Sequence, residues 1–242
     1  MKIENWLLKI CNPVIEDLAK KIGVKFNNIE LLQQALTHRS YLNEHRDYKL
    51  EHNERLEFLG DAVLELVVTE YLYAKFSNPE GELTNWRASL VNGEMLAKIS
   101  GRMGVEEFLL MSKGEAKDTG KARQYLLANA FEAIIGAVYL DQKEKGYDVC
   151  KEFILKNVVS ELADIIENKS YMDPKSLFQE KAQEKVSVTP SYKVIEESGP
   201  DHARKFVVGV YLDHELIATG EGMSKQEAQR NAAAAGLEAK KW

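Results

Sequence analysis

Apolar residues recur at helical spacing through the first two-thirds of the chain and then give way to strict alternation. The helical pattern starts over residues 4–22, where Asn12-Pro13 predicts a helix start or a kink. It resumes over 28–36 and runs into Thr37-His38-Arg39-Ser40-Tyr41, a polar and amphipathic stretch that predicts a surface corner, followed by a polar loop to His52. In the next stretch, extending to about residue 76, Leu56, Leu59, Val63, Leu66 and Val67 share one arc of about 100°, as expected of a helix laid on a core. Ser77-Asn78-Pro79-Glu80-Gly81 is a turn by composition. Residues 82–103 predict another helix stopped by Gly104, then a short apolar piece at 108–111 and a polar loop over 112–122. The most apolar helix covers 123–142, and a last one 147–167.

From Asp173-Pro174, a helix start, the period changes. Tyr192-Lys193-Val194-Ile195, residues 205–212 and residues 216–222 read as strands, separated by turns at Gly199-Pro200-Asp201-His202 and Asp213-His214. Ser224 caps a final helix carrying Ala228, Ala232, Ala233, Ala235 and Leu237. The expected architecture is therefore an all-α domain over residues 1–167, a linker at 168–172 and a small α+β domain of order α-β-β-β-α over 173–242.

The polar side of the helix beginning near residue 54 carries the candidate chemistry. Glu54, Glu57, Asp61 and Glu65 fall within about 80° of one another, and like charges at this spacing cost roughly 0.2–0.5 kcal/mol per pair. Either this is a solvated acidic face or a hard divalent cation, which prefers oxygen ligands, compensates the repulsion. Phe58, about 40° from Glu54 on the helical wheel, favours a face that something covers. On the apolar helix Asn129 and Glu132 stand side by side, and Glu132 has apolar neighbours all round. A buried carboxylate needs a partner, either a metal or an arginine such as Arg55.

Composition narrows the class. Hydrophobic residues make up 45% and charged residues 29% of the chain, as in a soluble globular protein, and the longest apolar run, 133–140, is far short of the roughly 20 residues of a membrane span. Met1-Lys2-Ile3-Glu4-Asn5-Trp6-Leu7-Leu8 lacks the apolar core of a signal peptide, so a cytoplasmic protein with no membrane partner is expected. Cys11 and Cys150 have neither metal-ligand nor disulfide spacing and read as buried or idle thiols. A net charge of −6, with ten Lys and Arg against eleven Asp and Glu from Asp173 to Trp242, requires any phosphate contact to come from a local cluster.

Asn53-Glu54-Arg55-Leu56-Glu57-Phe58-Leu59-Gly60-Asp61, together with Leu127-Ala128-Asn129-Ala130-Phe131-Glu132-Ala133-Ile134-Ile135-Gly136, resembles the bacterial ribonuclease III family over essentially the whole chain. The tail resembles a double-stranded RNA-binding domain, with Gly199-Pro200-Asp201-His202 and Gly222-Met223-Ser224-Lys225 in the corresponding places. The resemblance implies a homodimeric endoribonuclease that hydrolyses double-stranded RNA with Mg²⁺, or Mn²⁺ in its place. It implies 5′-phosphate and 3′-hydroxyl ends and a role in processing rRNA and mRNA precursors. Glu57, Asp61, Asn129 and Glu132 would hold the metal, with Asp61 and Glu132 catalytic and Phe58 at the dimer interface. Asn129 stands where the family usually has an aspartate, which removes one negative charge. Gln179, Glu180, His202, Ser224 and Lys225 would contact RNA, and Gln226 replaces a basic residue common in relatives. The alternative is a non-catalytic duplex-RNA binder with an impaired metal site. A di-iron helical protein is excluded, because none of the five histidines follows a Glu by three residues.

Overall fold

The computed structural model describes residues 15–117, 119–169, 171–200 and 204–242, so the part of the helical pattern of 4–22 that precedes residue 15, Cys11 and His202 lie outside the described residues. The chain divides into two compact units, Met1–Ile166 and Glu167–Trp242.

In the first unit the 3.6-residue periodicity becomes a set of packed helices. Helix α1 covers residues 15–22, and α2 (Ile29–Ala35) starts where the Asn28 side chain accepts from the Glu30 N–H. Thr37 to Tyr41 is not a surface corner: Arg39–Glu44 forms α3, and Thr37 is fully buried. Its hydroxyl donates to the Gln33 carbonyl at 2.8 Å, while its backbone bridges to Leu110. Partners within the fold thus satisfy polar groups that would otherwise require solvent.

Helix α4 (Glu54–Lys75) follows the loop as expected, and Leu56, Val63 and Val67 are buried. Leu66 departs from the expected core stripe, being 57% exposed. Gly60, Leu64, Val68 and Leu72 are buried instead, so the packed face is rotated away from Leu66.

The single helix expected over 82–103 is two, α5 (Glu80–Val91) and α6 (Gly93–Arg102). Asn92 separates them in an extended conformation, its side chain accepting from the Met95 N–H at 2.9 Å, so it caps the second helix rather than continuing the first. Helix α7 (Lys121–Asp141) contributes Ala130, Phe131, Ala133, Ile134, Ile135 and Val138 to the core, all wholly buried. At its end the buried Asp141 carboxylate accepts from the backbone N–H groups of Asn27 and Asn28, at 2.8 and 2.7 Å, fastening the entry of α2 to α7.

The helix expected over 147–167 is also interrupted. After α8 (Gly146–Asn157) the Asn157 amide donates to the Phe153 carbonyl at 2.8 Å, and a 3₁₀ turn, Val159–Glu161, precedes α9 (Leu162–Glu167). Nearly buried Glu161 accepts from Lys98 at 2.9 Å and Arg102 at 2.8 Å. Burial disfavours its charged form, yet those two cations hold the carboxyl below the usual range. Cys150 is buried, and burial pushes its thiol up to about 12, an inert group.

The second unit is α10 (Pro174–Val186), an antiparallel sheet of order β1-β2-β3 (Ser191–Ser198, Lys205–Leu212, Glu215–Gly222), and α11 (Lys225–Lys240). Asp173 caps α10, accepting from the Lys175 and Ser176 N–H groups. Phe178 and Ala182 from α10 meet Ala232 and Ala233 from α11 over Val210 and Leu212 of β2. Strand alternation thus buries one face under both helices and leaves the other open. Among the described residues no helix is long and apolar enough to cross a membrane.

Candidate functional site

The site in the first unit begins with two glycines. A β-carbon on Gly60 would lie 1.8 Å from the Glu132 carbonyl oxygen, and one on Gly136 would lie 2.2 Å from that of Leu56. Backbone therefore touches backbone where α4 crosses α7. That contact sets Glu57 and Asp61, either side of Gly60, against Asn129 and Glu132.

The start of α4 is pinned from the other side. Buried Asn53 donates its N–H to the Thr37 carbonyl at 2.9 Å and its amide to the Ala35 carbonyl at 3.3 Å. Asn53 belongs to the sequence motif, but spacing alone does not reveal this anchoring role. Its signal was a polar residue at the helix entry followed by alternating core positions.

Not all four carboxylates of the α4 acidic face are available. Glu65 is taken by Arg87 at 3.2 Å, and Glu54 lies 3.6 Å from Arg39 and 3.8 Å from His52. Among the described residues Glu57, Asp61 and Glu132 have no cationic partner. The arginine proposed as an alternative partner for Glu132 lies elsewhere, since Arg55 faces Glu51 at 3.9 Å.

The electrostatics confirm proximity. Burial, reinforced by the charges of Asp61 and Glu57, pushes the Glu132 carboxyl up to about 7. Burial also raises Glu57, with Glu54 and Asp61 adding to it, while the Asn129 amide beside it works in the opposite direction. Asn129 thus faces Glu57 as a donor where an aspartate would add a fourth repelling charge.

This donor set fits a hard cation. It offers oxygens only, and its carboxylates, those of Glu57 and Glu132 partly buried and that of Asp61 exposed, repel each other with no cation among the described residues to relieve them. Among the described residues no three His, Cys, Asp or Glu side chains form a ready-made chelate. The fit is accordingly to an ion bound through one or two carboxylates that keeps several of its waters, as Mg²⁺ does, and not to a closed protein cage.

Phe58 projects outward from α4, 82% exposed, and Leu66 and Tyr73 (82%) share its side of the helix. Intrachain core packing, the simplest explanation for Phe58, is excluded. In the second unit Gln179, Ser224 and Lys225 are exposed, Glu180 pairs with Lys169 at 2.5 Å, and His202 is outside the described residues. The Ser224 hydroxyl accepts from the Glu227 N–H at 3.1 Å while the Glu227 carboxylate accepts from the Met223 N–H at 2.8 Å, a reciprocal cap that fixes the start of α11.

Comparison with known proteins gives a consistent result. Residues 28–162 match the Ribonuclease-III-like family and residues 174–240 the double-stranded RNA binding motif. Ribonuclease 3 of Enterococcus faecalis is 45% identical over 92% of this chain and 95% of its own length. That of Geobacillus thermodenitrificans is 46% identical over 92% and 89%. A solved nuclease domain of ribonuclease III from Campylobacter jejuni, described for structural flexibility in a region involved in dimer formation, aligns with a TM-score of 0.53 at 43% identity, covering 60% of this chain and 95% of that one.

Proposed function

Because the chain belongs to the ribonuclease III family, we propose that it is a double-strand-specific endoribonuclease, working as a homodimer with Mg²⁺, or Mn²⁺ in its place. The observation that carries this reading is the mutual charge of Glu57, Asp61 and Glu132 across the α4–α7 crossing, unrelieved by any cation among the described residues. Glu57, Asp61 and Glu132 would hold the ion, one or two of them directly and the rest through its waters, and Asn129 contributes an amide oxygen or steadies Glu57. The ion supplies what phosphodiester hydrolysis requires, a more acidic water and neutralisation of charge on the leaving oxygen. Asp61 and Glu132 are the residues nearest the reacting groups, and their carboxylates orient the attacking water.

The exposed Phe58, Leu66 and Tyr73 stripe supports a two-fold dimer, since apolar side chains aligned on one helix mark an interaction surface. Two such sites across one duplex account for 5′-phosphate and 3′-hydroxyl ends on both strands. The second unit recognises duplex shape, 2′-hydroxyls and phosphates, as A-form RNA requires, through Gln179, Glu180, His202, Ser224 and Lys225. The biological substrates are structured rRNA and mRNA precursors in the cytoplasm.

Incubation of the full chain with long duplex RNA and Mg²⁺ tests the reading. Metal-dependent cleavage by the wild type, lost in Glu132→Gln with duplex binding intact, is expected. Binding without cleavage by the wild type overturns it in favour of a non-catalytic RNA binder.

A further inference from the structure

Five cations of the second unit are matched by carboxylates, while Lys175, Lys193, Lys205, Lys225, Arg230 and Lys241 have no such partner among the described residues. Lys169 pairs with Glu180, Lys181 and Lys185 with Glu184, Arg204 with Glu197, and Lys240 with Glu215. Lys175 and Lys225 are two of the unmatched. Among the described residues neither has a carboxylate within ion-pair distance, and each is held by neutral groups. The Lys175 ammonium donates to the Gln229 amide oxygen at 2.8 Å and sits 5.1 Å from the centre of the Tyr192 ring. The Lys225 ammonium sits 5.5 Å from the centre of the Phe206 ring. Tyr192 packs against the small core of Phe206, Val208 and Ala228, so the two lysines are placed by adjoining aromatic groups.

Helical geometry relates the two charges. Gln229 lies four residues beyond Lys225, and side chains so spaced are neighbours, with roughly 5–6 Å between β-carbons. By reaching Gln229, Lys175 brings an ammonium from α10 to the side chain next along the same face of α11 from Lys225. The reciprocal Ser224–Glu227 cap holds the start of α11 in place beside them.

We infer that Lys175 is a phosphate-contacting residue of this unit, forming with Lys225 a two-helix clamp on the RNA backbone in which a lysine from α10 supplies charge that α11, with Gln226 and Gln229 in its first turns, does not. An ammonium steadied by an amide oxygen and a ring face has little side-chain freedom left to lose when a phosphate replaces water around it. It also keeps its full charge for the phosphate, because no carboxylate must be displaced. The inference rests on the duplex-RNA reading above and adds a residue to it.

Lys193 provides an internal control. Its ammonium is 5.1 Å from the Tyr211 ring, a similar pairing, but it opposes Gly209 in the sheet register and alternates with core-facing Tyr192, which places it on the open face away from both helices.

The test is binding of the full chain to a blunt RNA duplex of about 20 base pairs in EDTA, by fluorescence anisotropy across a salt series. EDTA removes cleavage from the readout. In Lys175→Gln the slope of log affinity against log salt falls by about one, as does that of Lys225→Gln, whereas Lys193→Gln keeps the wild-type slope. Between about 50 and about 200 mM salt, Lys175→Gln therefore loses about threefold less affinity than the wild type. Lys175→Arg keeps the slope, and melting curves confirm that all variants are folded. A wild-type slope in Lys175→Gln, with a reduced one in Lys225→Gln, overturns the clamp alone, and so does a reduced slope in Lys175→Arg. No duplex binding by the wild type overturns the RNA reading itself, and the clamp with it.

Discussion

Gly60 and Glu132 meet backbone to backbone: the space a β-carbon on Gly60 would need is occupied by the Glu132 carbonyl, 1.8 Å away. Gly60→Ala must therefore push α4 off α7. Overpacking of this kind typically costs 1–3 kcal/mol, and here the obstacle is backbone that cannot rotate aside, so about 3 kcal/mol or more is expected. Urea unfolding measures it. Separation also carries Glu57 and Asp61 away from Glu132, so the Glu132 titration should move down towards the ordinary carboxylate range. A variant as stable as the wild type would show that the crossing tolerates more spacing than its geometry implies.

The Glu132 carboxyl titrates at about 7 in the folded chain against 4.5 for an unperturbed glutamate. Its folded value is raised, so the stability it contributes is fully present below about pH 4.5 and is lost as pH rises through about 7. Glu57, raised by burial as well, acts in the same direction. In metal-free buffer Glu132→Gln should melt higher than the wild type at about pH 8 and equally at about pH 4, because an amide carries no charge to bury. Mg²⁺ should narrow the difference at about pH 8 by stabilising the wild-type carboxylate. Identical melting profiles for both proteins across this range would show that Glu132 is freely solvated.

Asn129→Asp adds a charge beside Glu57. Without metal the added repulsion should raise the Glu57 and Glu132 titrations further and lower the melting temperature at neutral pH. With Mg²⁺ or Mn²⁺, calorimetry should show tighter binding and a larger thermal shift than in the wild type. Equal affinities in the two proteins would put residue 129 beyond the reach of the ion.

Phe58→Glu should convert the dimer to a monomer, because a charge at the centre of an apolar contact has no partner and must be dehydrated. Light scattering should report a mass falling from twice to once the 27.4 kDa of a single chain. A wild type that is already monomeric at micromolar concentration would remove the dimer from the proposal.

Much of this was legible in the sequence because long amphipathic periods are robust. Helices α4 and α7 lie where the spacing of Leu56, Val63 and Val67 and the apolar run around Phe131 indicated, and the carboxylates follow from the same spacing. What escaped was decided by contacts between segments distant in sequence or by side chains that bond to nearby backbone. Leu66 has the spacing of a core residue, but the backbone approach at Gly60 turns α4 so that Leu64 and Val68 face inward instead. Asn92 interrupts a continuous helical pattern because its side chain competes for the Met95 N–H, and no hydrophobic period records that. Thr37 looked solvated because its hydroxyl partners, Gln33 and Tyr48, and Leu110, which bonds the backbone groups of Leu36 and His38 on either side of it, come from three different segments. In the carboxylate site, spacing indicated which residues share a face but not that Arg87 would claim Glu65.

Glu161 gathers Lys98 and Arg102 onto one carboxylate near the end of the first unit. This latch is a rivet: thermal fraying that starts at α9 should meet a doubly anchored acid within two turns and slow there. A protease nick just beyond Glu167 should therefore release the nuclease portion with its final turns intact and its melting behaviour unchanged.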